Sequence, residues 1–217
     1  MSLSFDFFFS FRSPYSYLAT PRISEIARDY DVDVRLRPVL PIAVRIPGFF
    51  QTVNPMWPPY LMRDTWRIAE MNGIPYRWPR PDPIVQDPET REVSPDQPHI
   101  YRVTRLGQAA ANAGKGLEYT TAVAAIIWNG EVPGWNEGDH LAACARKVGL
   151  DSVELEATVA RDAERLDAEI AANEAAQKAA GHWGVPLFVF EDEPFFGQDR
   201  IDLLLWRMKK RGLQKRA

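Results

Sequence analysis

The sequence predicts an α/β fold in which a small sheet domain is interrupted by an all-helical block. Three observations carry that reading. Strand signals occur only towards the two ends, at Leu3 to Phe9 and Val32 to Leu36, then again at Val185 to Phe190 and Phe195-Phe196. Each end adds a helix of its own, one opening at Pro14 and one running from Asp199 to Met208. Between them, once the chain has passed Tyr60, the pattern is helix after helix, punctuated by Gly and Pro. The expected division is residues 1–40 plus 181–217 for the sheet domain and 41–180 for the inserted helical domain.

Leu3 to Phe9 is dense in Phe with a single acid, Asp6, as expected of a strand covered on both faces. Ser13-Pro14 then reads as a helix start. Proline at the first helical position loses no needed N–H, and a serine before it can cap. Leu18, Ile23, Ile26 and Ala27 keep a helical rhythm, within which Pro21 is expected to kink the helix or restart it at Thr20. Val32, Val34 and Leu36 alternate with Asp33, Arg35 and Arg37, a strand that stops at Pro38. Strand, helix and strand at this spacing make a crossover unit, so the first two strands should be parallel.

Pro38 to Asn54 reads as an irregular, shaped loop. Tyr60 to Asn72 is helical with Gly73 as its stop, and seven prolines in the 24 residues from Pro75 to Pro98 exclude helix or central strand there. Helices follow over Ile100 to Ala113, Leu117 to Asn129, the stretch around Cys144, the one that Asp151 and Glu154 open as a capping box, and Ala163 to Ala180. Val185 to Phe190, a turn at Glu191-Asp192 and Phe195-Phe196 form a closing hairpin.

Composition bounds the function. With 217 residues, 46% hydrophobic and 25% charged, the chain can bury a proper core, and its net charge of −3 favours neither nucleic acid nor an acidic membrane as partner. Cys144 is the single cysteine, which excludes an internal disulfide and a multi-thiolate metal site, and its helical spacing with Leu141 and Val148 makes it a core filler. His99, His140 and His182 are scattered without ligand spacing, so no metal is expected. No basic region precedes the opening apolar stretch and no run of about 18 apolar residues occurs, so the expectation is a cytoplasmic protein.

The stretch Ser10 to Ala19 puts the Ser13 hydroxyl at the positive end of a helix beside a sheet edge, a place that favours an anion or thiolate. Taken alone, Ser13 reads better as a plain cap. Pro186 opens the third strand, where a residue without an N–H must lie at an edge or a bend. This order of elements looks like the thioredoxin fold, in which the matching proline is cis and faces the helix start.

Three motifs in order, Asp6-Phe7-Phe8-Phe9-Ser10-Phe11-Arg12-Ser13-Pro14-Tyr15-Ser16-Tyr17-Leu18, Gly184-Val185-Pro186 and Phe196-Gly197-Gln198-Asp199-Arg200, resemble the 2-hydroxychromene-2-carboxylate isomerases. These are relatives of kappa-class glutathione transferases within the bacterial disulfide oxidoreductase group, and the resemblance spans nearly the whole chain. It implies glutathione as cofactor, an aromatic carboxylate as substrate and a homodimer. Ser13 matches the serine that donates to the glutathione sulfur. Val185 and Pro186 match the edge that pairs with the cysteinyl part, with Trp183 beside them, and Gln198, Asp199 and Arg200 match the γ-glutamyl site. Asn173 matches a polar position near the tripeptide, although on its Ala-rich helix it reads equally as exposed. Arg45, Asn54 and Tyr60 match the substrate side. There the chain departs from the family: a common lysine is absent with Arg45 the nearest cation, Met56-Trp57-Pro58-Pro59 replaces a more polar turn, and the Pro-rich segment is long.

The implied chemistry is reversible thiolate addition to a conjugated double bond, with rotation before elimination. Alternatives are a kappa-like transferase or peroxidase and a non-catalytic thiol- or peptide-binding module. Thiol–disulfide exchange is argued against by Ser10-Phe11-Arg12-Ser13, which has no cysteine at either end.

Overall fold

The computed structural model describes residues 2–87 and 89–216. β1 (Leu3–Phe9), β2 (Val32–Pro38), β3 (Leu187–Phe190) and β4 (Glu193–Phe196) form one sheet in the order β2-β1-β3-β4. β1 and β2 are parallel, with Leu3 opposite Val32 and Phe9 opposite Pro38, while β3 is antiparallel to both β1 and β4. As an inner strand covered on both sides, β1 can be phenylalanine almost throughout. Phe5, Phe7 and Phe9 point into the main core, where Phe7 meets Phe188 at 5.0 Å between ring centroids and Phe9 meets Phe11 at 5.1 Å. Phe8 points the other way, onto Val39 and Leu187. The one acid in the strand, Asp6, is held by Arg35 and Arg37 of β2.

α1 (Pro14–Asp29) is the crossover between the parallel strands, and it runs unbroken through Pro21. The expected restart at Thr20 does not occur, for a local reason. The carbonyl that Pro21 leaves without its helical donor belongs to Tyr17, and the Thr20 hydroxyl donates to that oxygen at 2.8 Å.

Two one-turn helices, α2 (Ile42–Arg45) and α3 (Phe49–Thr52), lie in the segment expected to be irregular. α4 (Trp57–Asn72) begins three residues before Tyr60, because Pro58 and Pro59 fall in a first turn whose amides need no helical partner. Residues 74–87 and 89–97 then form a strap, in which the described residues carry no regular secondary structure beyond one isolated bridge. α5 (Pro98–Asn112), α6 (Gly116–Trp128), α7 (His140–Lys147), α8 (Ser152–Arg161) and α9 (Ala163–Ala179) complete the helical block. Asp151 caps α8 through the amides of Val153 and Glu154, but the Glu154 side chain bonds Thr158, so only half of the expected capping box forms.

The hairpin turn places Glu191 and Asp192 at φ 49° and 63°, the left-handed pair that a two-residue connection between antiparallel strands requires. A 3₁₀ turn over Gln198–Arg200 leads into α10 (Ile201–Lys210).

The helical block does not carry a separate core. Apolar packing runs without interruption from Phe7, Phe9 and Phe11 to Val103, Leu106 and Val123. α5 comes so near that a Cβ on Gly107 would lie 2.9 Å from the Phe11 ring, and the Trp128 indole of α6 donates to the Phe11 carbonyl at 2.9 Å. These contacts hold the end of β1, and with it the start of α1, in a fixed place. Among the described residues no helix is long and apolar enough to cross a membrane.

Candidate active site

At the end of the sheet where β1 feeds α1 lies a mostly apolar cleft of about 1230 Å³, walled by α2 to α4, the strap and the loops either side of the β3–β4 hairpin. Ser13 sits at its base. Its backbone is extended (φ −93°, ψ 115°), which leaves its side chain free to cap. Oγ accepts from Ser16 N at 3.1 Å and faces the Val185 carbonyl at 3.4 Å. Pro14 has no N–H, and that of Tyr15 finds no acceptor among the described residues, so the positive end of α1 keeps an open amide.

Opposite Ser13, the Val185–Pro186 peptide is cis. The two residues before it are tied down from three sides. Arg45 donates to the Trp183 carbonyl at 3.0 Å and to Gln177 Oε1 at 3.1 Å; Gln177 Nε2 donates to the Gly184 carbonyl at 2.7 Å. The Gly184 N–H donates to His182 Nδ1 at 2.9 Å. The His182 ring is stacked on Phe196 at 3.8 Å and on Trp183 at 5.5 Å, and burial lowers its pKa. Val185, next in line, has an N–H without a partner among the described residues.

On the far wall, Arg12 forks onto Asp82 with two bonds of 3.0 Å, and its guanidinium lies 4.8 Å from the Trp78 ring. The strap is thereby fastened to the residue before Ser13. The Tyr15 hydroxyl donates to Asp64 Oδ2 at 2.8 Å, and burial followed by that carboxylate pushes its pKa far up, so it remains a neutral donor.

Ser13, Trp183, Val185, Pro186, Gln198, Asp199 and Arg200 all line this one cleft, as do Arg45, Asn54 and Tyr60. Asn173 does not. It is buried, with its amide nitrogen on the Pro38 carbonyl at 3.0 Å and on Gln108 Oε1 at 2.8 Å, so its polar groups are spent on joining α9 to β2 and α5. Asn54 uses Oδ1 on the Met56 amide at the approach to α4. Asp199 is paired with Arg200 at 2.9 Å on the surface.

Ser13 is joined to both neighbouring serines: its Oγ accepts from the Ser16 amide, and its own amide donates to the Ser10 carbonyl at 3.0 Å at the end of β1. None of the three is a cysteine. Cys144 is buried in α7 with its thiol pKa raised by burial.

Arg12, Asp82, Gln177 and His182 were not expected at the site. Leu166, Ile170, Asn173 and Gln177 form the buried face of α9 at i, i+4, i+7 and i+11, but half of that face is amide, so hydrophobic periodicity does not mark Gln177 in the sequence.

Residues 4–209 match the family model described as a DSBA-like thioredoxin domain. A curated relative from Sphingobium xenophagum named 2-hydroxychromene-2-carboxylate isomerase is 28% identical over 209 residues, covering 94% of this chain and 97% of the relative. One of the same name from Pseudomonas putida is 29% identical over 205 residues, covering 92% and 91%. Among solved structures, a 2-hydroxychromene-2-carboxylate isomerase superposes with a TM-score of 0.71 at 24% identity, covering 96% of this chain and 95% of that one, a likeness of fold.

Proposed function

The chain belongs to the DSBA-like thioredoxin domain family, and from that premise we propose that it is a glutathione-dependent isomerase of an aromatic carboxylate of the 2-hydroxychromene-2-carboxylate type. The observation that carries the reading is the Ser13 hydroxyl at the positive end of α1, facing the Val185 backbone across the base of an aromatic-walled cleft. The donor set suits a thiol tripeptide. The unpaired Val185 N–H and its carbonyl offer a strand-like edge to a cysteinyl backbone, and Asp199 with Gln198 offers a carboxylate and an amide to an α-amino acid end.

Glutathione held by the Val185 edge, Gln198 and Asp199 would supply a thiolate next to Ser13, a nucleophile suited to reversible addition to a conjugated double bond. The protein's part is electrostatic. Ser13 keeps its Oγ as acceptor of the Ser16 amide and turns its hydrogen from the Val185 carbonyl towards the sulfur. The open Tyr15 amide and the α1 dipole favour negative charge at the same point. A free thiol of pKa ~8.5 is mostly protonated at neutral pH, so each unit of lowering gains up to about tenfold in thiolate. Phe49, Phe50, Trp57 and Trp78 offer aromatic faces to a planar substrate, with Asn54 and Tyr60 nearby.

The test is isomerisation followed by ultraviolet absorbance with and without glutathione. Activity should require the tripeptide. Ser13→Ala should lower the rate by about 100-fold or more, the order expected for losing a donor to a developing anion. Its stability should fall by only about 1 kcal/mol, the worth of a cap. Full activity in Ser13→Ala would sink the assignment.

A further inference from the structure

We infer that Arg45 and Gln177 are positioning residues for the thiol tripeptide and that Arg45 is not the cation that reads the substrate's carboxylate; this rests on the glutathione reading above. Arg45 ends α2 and lines the cleft, and the family resemblance implied a substrate ligand at this position. Its Nη2 is on the Trp183 carbonyl at 3.0 Å and its Nη1 on Gln177 Oε1 at 3.1 Å, while its Nε is sealed from solvent. Gln177, fully buried on α9, passes the connection on to the Gly184 carbonyl at 2.7 Å. Two side chains from two helices thus hold consecutive carbonyls. With the Gly184 amide given to His182, the next backbone groups free to bind anything are those of Val185, across from Ser13.

The residue types fit this task. A planar guanidinium holds an amide oxygen and a backbone carbonyl with donors on two separate nitrogens at fixed angles, whereas a lysine ammonium offers its three donors from one freely rotating nitrogen. A buried glutamine supplies an acceptor for the arginine and a donor for the peptide at once. Without the brace, the Trp183 and Gly184 carbonyls would be free to turn, and the Val185 edge would no longer be preorganised. Binding of a backbone-pairing ligand would then bear the cost of ordering it.

The experiment is calorimetric titration of glutathione into the full chain and into Arg45→Met, Gln177→Leu, the double variant and Arg45→Lys, with Michaelis constants for both reactants. Losing a hydrogen bond to a charged or buried partner predicts a roughly ten- to hundredfold weaker glutathione affinity for either single variant. The KM for the aromatic carboxylate at saturating glutathione should stay within about twofold, since that ligand does not use the Val185 edge. The double variant should be little worse than the worse single one, because both act through one peptide segment. Arg45→Lys, which keeps the charge and the stem, guards against loss of folding and should fall between wild type and Arg45→Met in glutathione affinity. A raised KM for the carboxylate with glutathione affinity unchanged would overturn the inference and return Arg45 to the substrate. Absence of glutathione binding by the wild-type chain would overturn the inference together with the reading beneath it.

Discussion

Asp82 is the point at which the long strap is fastened to the residue before Ser13, and its removal has a calculable consequence. The carboxylate accepts four hydrogen bonds: two of 3.0 Å from Arg12, one of 3.2 Å from the Trp78 indole and one of 3.1 Å from the Ile84 amide. The side chains of Arg12 and Asp82 are 15% and 26% exposed, so the pair is largely but not wholly out of water. Breaking a fully buried pair costs about 3–5 kcal/mol because the surviving charge is stranded, and an exposed pair is worth under about 1 kcal/mol. Interpolation gives about 2–3 kcal/mol for Asp82→Ala, and for a chain of this length that corresponds to roughly 4–12 °C in Tm. Urea denaturation with a double-mutant cycle checks the origin of the loss. In Arg12→Met with Asp82→Ala the stranded guanidinium is gone, so the double variant should be at least about 1 kcal/mol more stable than the sum of the losses in Arg12→Met and Asp82→Ala predicts. A change below about 0.5 kcal/mol in Asp82→Ala, or strict additivity, would refute the claim that this pair fastens the strap.

Three further outcomes follow from the same geometry. In Gly184→Ala the new Cβ would lie 2.5 Å from Phe196 Cε2 and 3.1 Å from His182 Cε1, so both rings must shift; we expect a loss of about 1–3 kcal/mol and weakened glutathione binding, measured by melting with and without the tripeptide. His182 has its pKa lowered from 6.5 by burial, so below that value the unfolded chain takes a proton that the folded chain resists. Stability should therefore fall as pH is lowered from about 6.5, and His182→Asn should flatten that part of the curve; a rise in the same window would contradict the neutral ring. Cys144, buried and with a raised thiol pKa, should react with a maleimide only at the rate of unfolding or local opening, and rapid labelling of the native chain would refute its place in the core.

What the sequence made legible and what it hid divide along a physical line. Short-range signals were readable because their causes lie within a few residues. Ser13 caps α1 because Pro14 follows it, β2 alternates because one side of it is wet, and Glu191-Asp192 turn because two residues join antiparallel strands. The same locality explains why the restart expected at Thr20 does not occur: the Thr20 hydroxyl that bonds the freed carbonyl is one residue away but acts through a rotamer that composition does not display.

The candidate site was legible wherever a residue's placement is tied to a backbone feature, as at Ser13, Val185 and Pro186, which the fold brings together in one cleft. It was obscure wherever the role depends on a partner far along the chain. Arg12 reaches across 70 positions to Asp82, Arg45 across 138 to Trp183, and Asn173 across 135 to Pro38. Asn173 and Gln177 were hidden for a further reason. Hydrophobic periodicity marks the inward face of a helix only when that face is apolar, and half of the inward face of α9 is amide. Those amides satisfy carbonyls at Pro38 and Gly184, which lie where β2 ends and where the chain returns towards β3. A helix that must bond backbone at both places cannot show a clean apolar stripe, so weak amphipathicity on a buried helix beside a sheet edge is itself a sign that the helix serves the site.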